Sequence, residues 1–249
     1  IQSLWAGVDS LLADRTLPEG VPIARMVDPM MNAAMAETAL WATLALQRHF
    51  FTYARQQAER RWQEWPQRRA GDWRVTVLGL GEMGLTTARR LVTMGYRVQG
   101  WARRPRDLPE GVHGAFGAAG LRGLLPRTDV LINLLPLTEA TRGLLAAPLF
   151  AALPQGAGLV NLARGAHLVE ADLLDALASG QIGHAVLDVF ATEPLPAAHA
   201  FWGHPRITVL PHAAAATDPD SAAAVAVANL RALAAGRPLA HLVDPERGY

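Results

Sequence analysis

The stretch from Trp73 to Arg104, WRVTVLGLGEMGLTTARRLVTMGYRVQGWARR, constrains the fold more than any other part of the chain. An apolar run, VTVL, leads into Gly79, Gly81 and Gly84 at the spacing G-x-G-x-x-G. A helical pattern follows, and a second extended run ends at Ala102. The order is strand, glycine turn, helix, strand, within the length of one βαβ unit. The first two glycines permit a tight turn and a close approach of backbone to a pyrophosphate; the third lets helix pack against strand. A phosphate then sits on the helix N-terminus, where N–H groups and the helix dipole favour an anion. A lone match of this kind is weak and also fits an ordinary glycine turn, but the strand before it and the βαβ length after it favour a dinucleotide site. Glu82 and Met83, which open the helix inside the motif, are assigned to the same site.

The second strand ends where a carboxylate would accept both ribose hydroxyls of NAD. Ala102 stands there, followed by Arg103 and Arg104. Guanidinium donors suit a phosphate on that ribose, so these residues favour NADPH, with NADH the weaker alternative. The competing reading makes both arginines solvated surface charges.

The remaining sequence repeats the alternation of extended and helical patterns. Residues 31–62 hold apolar residues at helical spacing with no internal Gly or Pro, which predicts one long helix or two abutting ones. A loop rich in Trp, Pro and Arg follows. Further strands are expected in TDVLINLL (128–135), AGLVNLA (157–163), GHAVLDVF (183–190) and RITVLP (206–211), with helices in EADLLDALASG and DSAAAVAVANLRALAAG. Apolar strands alternating with helices predict an α/β fold with a doubly wound parallel sheet of the Rossmann type. With 249 residues, 51% of them hydrophobic, the chain can bury a sizeable core.

Composition narrows the chemistry. A formal charge of +1 lacks the dense one-sign surface that nucleic acid or an anionic membrane requires, so small molecules are the expected partners. The absence of cysteine removes disulfides, thiol nucleophiles, iron–sulfur clusters and Cys-type zinc sites, and no metal site is expected. All 23 basic residues are arginine, which excludes a Schiff-base or P-loop lysine. No run reaches the roughly 18 apolar residues that span a bilayer, and no signal-peptide pattern opens the sequence, so a cytoplasmic location is expected.

Three residues fall just past later strands, where open α/β sheets place ligands: Arg164 in NLARGAHLVE, Glu193 in LDVFATEPLP and His212 in VLPHAAAAT. An arginine can hold a carboxylate by paired hydrogen bonds, a histidine can deliver a proton to a carbonyl oxygen, and a carboxylate can orient the ring and keep it charged. Hydride transfer to a 2-oxo acid needs those functions. Singly, each residue also reads as a loop cation, a turn residue before Pro194 or a satisfied histidine at a strand end. The other histidines, His167 and His204 among them, read as structural or surface.

In combination, LWAGVD, MAETAL, VLGLGEMG, LINLLPLTEATRGLL, NLARGAHLVEADLLDAL, LDVFATEPLP, WGHPRITVLPHAAAAT and VDPERGY resemble the D-isomer-specific 2-hydroxyacid dehydrogenases, most closely their glyoxylate/hydroxypyruvate reductase A group. The resemblance runs from Ile1 to Tyr249 and implies a family fold of two α/β domains with the active site between them. Residues 1–35 then belong to a smaller substrate domain, 36–213 form the dinucleotide domain with a dimerisation arm, and 214–249 return a helix to the substrate domain. The βα units that the family carries before LWAGVD are absent here, which implies an incomplete substrate domain in an N-terminally truncated chain. Arg164, Glu193 and His212 match the family's catalytic residues. The backbone of Trp5, Ala6 and Gly7 is implied to bind the substrate carboxylate, Leu135 and Pro136 to flank the adenosine half of the cofactor, Asp188 to meet the nicotinamide carboxamide, and Ala163 to line the cofactor site. The implied activity is NADPH-dependent reduction of glyoxylate or hydroxypyruvate in a homodimer paired through residues 41–70, with Trp62 and Trp65 packing there in preference to reaching the partner's cleft. Two alternatives stand beside it: a dehydrogenase of a larger D-2-hydroxy acid, and a non-catalytic dinucleotide sensor on the same fold.

Overall fold

A computed structural model describes residues 1–18, 20–244 and 246–249; Pro245, within the closing motif VDPERGY, lies outside the described residues. Strands β1 (Arg74–Leu78), β2 (Arg97–Ala102), β3 (Val112–Phe116), β4 (Val130–Asn133), β5 (Ala157–Asn161), β6 (Ile182–Leu187) and β7 (Ile207–Val209) form one sheet in the order β3-β2-β1-β4-β5-β6-β7. Every pairing is parallel. The order reverses between β1 and β4, and at that switch point the strand ends open a crevice.

Side chains that alternate along each strand explain the two covered faces. The register row Val77, Ile132, Val160, Val186 points to one side, while Leu78, Leu131, Leu159 and Leu187 join the cluster on the other. The valine face is covered by α2 (Pro29–Gln47) and α4 (Glu82–Thr93). The leucine face is covered by α5 (Gly117–Leu124), α6 (Ala147–Ala151) and α7 (Glu170–Ala178). The other α-helices among the described residues are the short α1 (Asp9–Leu12), α3 (Phe50–Ala58) and the longer α8 (Pro219–Ala234).

The helical run expected over 31–62 divides into α2 and α3. The break falls at His49, whose φ of 58° is left-handed and cannot continue a helix. α2 begins at Pro29 because Asp28 caps it, its carboxylate accepting from the amides of Met30 (2.9 Å) and Met31 (3.3 Å). That buried carboxylate also accepts from Ser221 Oγ (2.7 Å), joining the starts of α2 and α8. Strand β3 escapes sequence reading because VHGAF carries a glycine and an exposed histidine on the sheet edge, so no apolar run announces it.

Residues 1–3, 24–26 and 241–243 lie beside one another through isolated bridges, Gln2 with Ala24 and Ala24 with Leu242. Leu4, Leu230, Leu233 and Leu242 are exposed around this end of the molecule.

His184 on β6 is stacked on Phe51, ring centroids 4.2 Å apart, and bonds Thr208 Oγ1 at 2.9 Å. Burial, with Arg55, His204 and Arg206 nearby, pushes its pKa down to about 3. The folded state thus holds a neutral ring that the unfolded chain would protonate below about pH 6.5. Its stabilising contribution is complete above that pH and is lost as pH falls from about 6.5 towards 3. Melting temperature should fall more steeply over that interval for the wild type than for His184→Asn, which scanning fluorimetry across pH will check.

Candidate active site

The crevice at the switch point opens into a cavity of about 440 Å³, into which β1, β2, β4, β5 and β6 deliver their C-terminal loops. Its floor is the glycine motif. Gly79 has φ +92° and lies against the backbone of Leu134, while a Cβ on Gly84 would overlap the Gly79 carbonyl oxygen. Both positions exclude a side chain for packing reasons. Gly81 differs: a Cβ there would meet no protein atom within 4 Å, so its backbone faces the open cavity at the start of α4. No side chain caps that helix start, leaving its N–H groups to an anion. The residues therefore fit a dinucleotide pyrophosphate. Glu82, Met83, Leu135, Pro136 and Ala163 line the same cavity.

At the end of β2, Ala102 and Arg103 line the cavity, whereas Arg104 is exposed outside the lining. The second cation of that loop is Arg106, which lines the cavity and donates to the Leu80 carbonyl inside the glycine motif. Arg103 Nη2 donates to Tyr249 Oη at 2.7 Å.

The LWAGVD segment meets the NLARG segment on the opposite wall. A Cβ on Gly7 would overlap the Arg164 guanidinium, so the two are in direct contact. Arg164 Nε donates to Asp9 Oδ1 at 3.1 Å and Nη1 to the Ala163 carbonyl at 2.8 Å. The Trp5 amide already donates to Ser3 Oγ at 3.0 Å, so of the three backbone groups assigned to a carboxylate, the amides of Ala6 and Gly7 remain without a partner among the described residues. Trp5 itself is 72% exposed at the lip.

His212 lines the cavity with a φ of 53°, a strained conformation for a residue bearing a Cβ. Three bonds hold it there. Its amide donates to the Asp188 carbonyl at 2.9 Å, and the Asp188 carboxylate accepts from the amides of Ala213 (2.7 Å) and Ala214 (3.1 Å). Burial raises the Asp188 pKa and these two amide bonds oppose the rise. Asp188 is 1% exposed, so much of its acceptor capacity serves the histidine loop. Glu193 stands behind the ring: Oε1 accepts from the Phe190 amide at 2.8 Å, and Oε2 lies 2.7 Å from His212 Nδ1. Nε2 has no protein partner among the described residues.

A buried polar network ties these loops to the sheet. Asn133 Nδ2 donates to Asn161 Oδ1 (3.0 Å) and reaches His167 Nδ1 (3.0 Å); Asn161 Nδ2 donates to the Arg164 carbonyl (3.1 Å). His167 Nε2 lies 3.2 Å from the Pro136 carbonyl, an acceptor, which makes Nε2 the protonated nitrogen and Nδ1 the acceptor. Burial, the largest influence, lowers the His167 pKa and keeps the ring neutral. His167 thus ties the Pro136 loop to the network that carries the Arg164 loop.

The family model for the NAD-binding domain of D-isomer-specific 2-hydroxyacid dehydrogenases matches residues 40–214. The chain belongs to this family. The glyoxylate/hydroxypyruvate reductase A of Serratia proteamaculans is 44% identical over 252 residues, covering 99% of this chain and 80% of the relative, and that of Yersinia enterocolitica is 42% identical with the same coverage. A D-isomer-specific 2-hydroxyacid dehydrogenase from Xanthobacter autotrophicus, solved with NADPH and MES, superposes with a TM-score of 0.96 at 43% identity, covering all of this chain and 78% of that one. The NADPH-dependent glyoxylate/hydroxypyruvate reductase of Sinorhizobium meliloti, solved with NADP and sulfate, gives 0.95 at 39% identity, covering all of this chain and 79% of that one. Beside the positions expected for a 2-hydroxyacid dehydrogenase, the cavity is lined by Arg25, Arg106 and Tyr249. Arg106 sits in the same arginine-rich stretch as Arg103, and Tyr249 closes the final motif. Arg25 is a lone arginine in a Pro- and Val-containing loop and gives no sequence signal.

Replacing Asn161 with Leu leaves the Ala163 amide, the Arg164 carbonyl and one Asn133 proton without their buried partner. Asn161→Leu should cost about 1–3 kcal/mol of stability, read from urea unfolding midpoints.

Proposed function

We propose that this dehydrogenase reduces small 2-oxo acids, glyoxylate and hydroxypyruvate, with NADPH. The observation that carries the reading is that Arg164, the Ala6–Gly7 backbone and His212 share one cavity with the Gly79–Gly84 motif. NADPH, when bound, supplies the hydride. The uncapped start of α4 and the Gly81 backbone hold the pyrophosphate, and Arg103, assisted by Arg106, holds the 2′-phosphate. Glu82, Met83, Leu135, Pro136 and Ala163 complete the cofactor walls. Asp188, while anchoring the histidine loop, borders the nicotinamide end.

Arg164 and the amides of Ala6 and Gly7 hold the substrate carboxylate. As the carbonyl carbon takes the hydride, its oxygen takes a proton from His212 Nε2, giving the 2-hydroxy acid. Glu193 fixes the ring by its bond to Nδ1, which leaves Nε2 free to deliver the proton. On this reading residues 1–35 and 214–249 form the substrate-binding side, 36–213 the cofactor-binding side, and the enzyme works in the cytoplasm. Among the described residues, no helix is long and apolar enough to cross a membrane.

The reading includes a homodimer formed through residues 41–70. Trp65 packs near His49, ring centroids 5.7 Å apart, whereas Trp62 is 96% exposed. Gln56 is buried beside it with neither amide atom bonded among the described residues.

The direct test is consumption of NADPH on addition of glyoxylate or hydroxypyruvate; absence of turnover with both rejects the assignment. His212→Ala should lower turnover by about two to four orders of magnitude and leave NADPH affinity within twofold, about the span expected for loss of a general acid. Glu193→Gln removes a charge-assisted bond and should reduce kcat by about ten- to a hundredfold. Gly7→Ala displaces the Arg164 guanidinium and should raise KM for the 2-oxo acid with little change in NADPH affinity. Trp62→Ser should shift the dimer towards monomer in sedimentation velocity.

A further inference from the structure

Arg103 is an exposed, long side chain on the loop after β2, and alone it would sample many rotamers. In this structure it is held. Its Nη2 donates to Tyr249 Oη at 2.7 Å, and its guanidinium carbon lies 5.2 Å from the centre of the Tyr249 ring. Among the described residues no carboxylate pairs with Arg103; its partner is a neutral phenol. A neutral acceptor orders a guanidinium without cancelling its charge, and one bond to Tyr249 leaves four of five N–H donors for an anion.

Tyr249 is itself placed by a compact turn. Asp244 Oδ1 accepts from the amides of Glu246 (3.0 Å) and Arg247 (3.2 Å), and its Oδ2 pairs with Arg247 Nε at 2.8 Å. The Gly248 amide donates to the Asp244 carbonyl at 2.9 Å, and the Tyr249 carbonyl accepts from the Asp244 amide at 3.2 Å. One residue earlier, the Val243 amide donates to the Ile23 carbonyl at 2.8 Å, fastening this turn to the segment that carries Arg25. The turn therefore delivers a tyrosine from the 1–35 and 241–249 side of the molecule to an arginine on the sheet side, inside the cavity that both line.

We propose that Tyr249 is a specificity-determining residue for the cofactor: its ring and hydroxyl hold Arg103 in the pose that receives the 2′-phosphate, so the closing turn of the chain raises preference for NADPH over NADH. The proposal rests on the reading that Arg103 binds that phosphate. It assigns Tyr249 a positioning role with no part in hydride or proton transfer. A platform for the adenine ring, the competing role, would serve both nucleotides equally because they share that ring.

The test measures dissociation constants of NADPH and NADH by nucleotide fluorescence for the wild type, Tyr249→Phe, Tyr249→Ala, Arg103→Ala and the double alanine variant, with melting temperatures to establish folding. Loss of one hydrogen bond of ordinary strength should weaken NADPH binding about fivefold in Tyr249→Phe, and loss of the ring as well about tenfold in Tyr249→Ala, with NADH within twofold. The double variant should bind NADPH no more weakly than Arg103→Ala, because Tyr249 acts through that arginine. A selective loss in Arg103→Ala with no change in either tyrosine variant overturns the proposal and leaves the phosphate reading standing. Equal losses for NADPH and NADH in Tyr249→Ala also overturn it, in favour of the adenine platform. No selective loss in Arg103→Ala overturns the phosphate reading and the proposal together.

Discussion

The hydrogen bond between Asn133 and Asn161, side by side in register at the C-terminal ends of β4 and β5, is the interaction on which the site depends. A parallel sheet buried on both faces leaves its strand ends as the place where polar chemistry can begin, and buried polar groups there must be paired. The asparagine pair meets that requirement while binding the loops that follow. Asn133 Oδ1 accepts from the Leu135 amide, Asn161 Oδ1 from the Ala163 amide, and Asn161 Nδ2 donates to the Arg164 carbonyl. His167 links the set to Pro136. The Leu135–Pro136 wall of the cavity and the loop that presents Arg164 are thus parts of one buried network, and they hold their spacing together.

The same logic places His212. Its left-handed backbone is a local cost of about 1–3 kcal/mol, and such strain persists only where surrounding bonds over-determine it. Asp188 supplies them from the end of β6, through its own carbonyl and through its carboxylate. Glu193 then fixes the ring about the remaining torsion. Backbone position and ring orientation come from two different acids, so a change at one disturbs the histidine in a different way from a change at the other.

Much of this was legible in the sequence because the features are local or periodic. The glycine spacing, the alternating apolar strands and the motifs around Arg164, Glu193 and His212 each occupy a short contiguous stretch. What escaped was relational. β3 is an edge strand that needs no apolar face, and the break at His49 depends on a single backbone angle. Arg104 and Arg106 are indistinguishable as types within RRPRD; which of them turns towards the cavity depends on the path of the loop after β2. Arg25 and Tyr249 are far in sequence from the glycine motif and reach it through the bridges among residues 1–3, 24–26 and 241–243. Composition and spacing along the chain do not encode such contacts; only the folded register does.

The charges around the cavity show how a chain of net charge +1 makes a site for anions. Four arginines line it, Arg25, Arg103, Arg106 and Arg164, together with three acids, Asp9, Glu82 and Asp188. The acids do not simply neutralise the arginines. Asp9 orients Arg164 through Nε, Asp188 serves the backbone after His212, and Glu82 faces Arg25, whose charge is disfavoured by burial and supported by that carboxylate. Arg103 and Arg106 are oriented by a phenol and a carbonyl, which contribute no opposing charge at all. Orientation by neutral groups leaves the potential positive at the β2 end, and orientation by acids moderates it at the wall where Arg164 stands. A ligand with a dianionic phosphate at one end and a monoanionic carboxylate partner at the other is matched by that gradient, because the attraction is strongest where the ligand's charge is greatest.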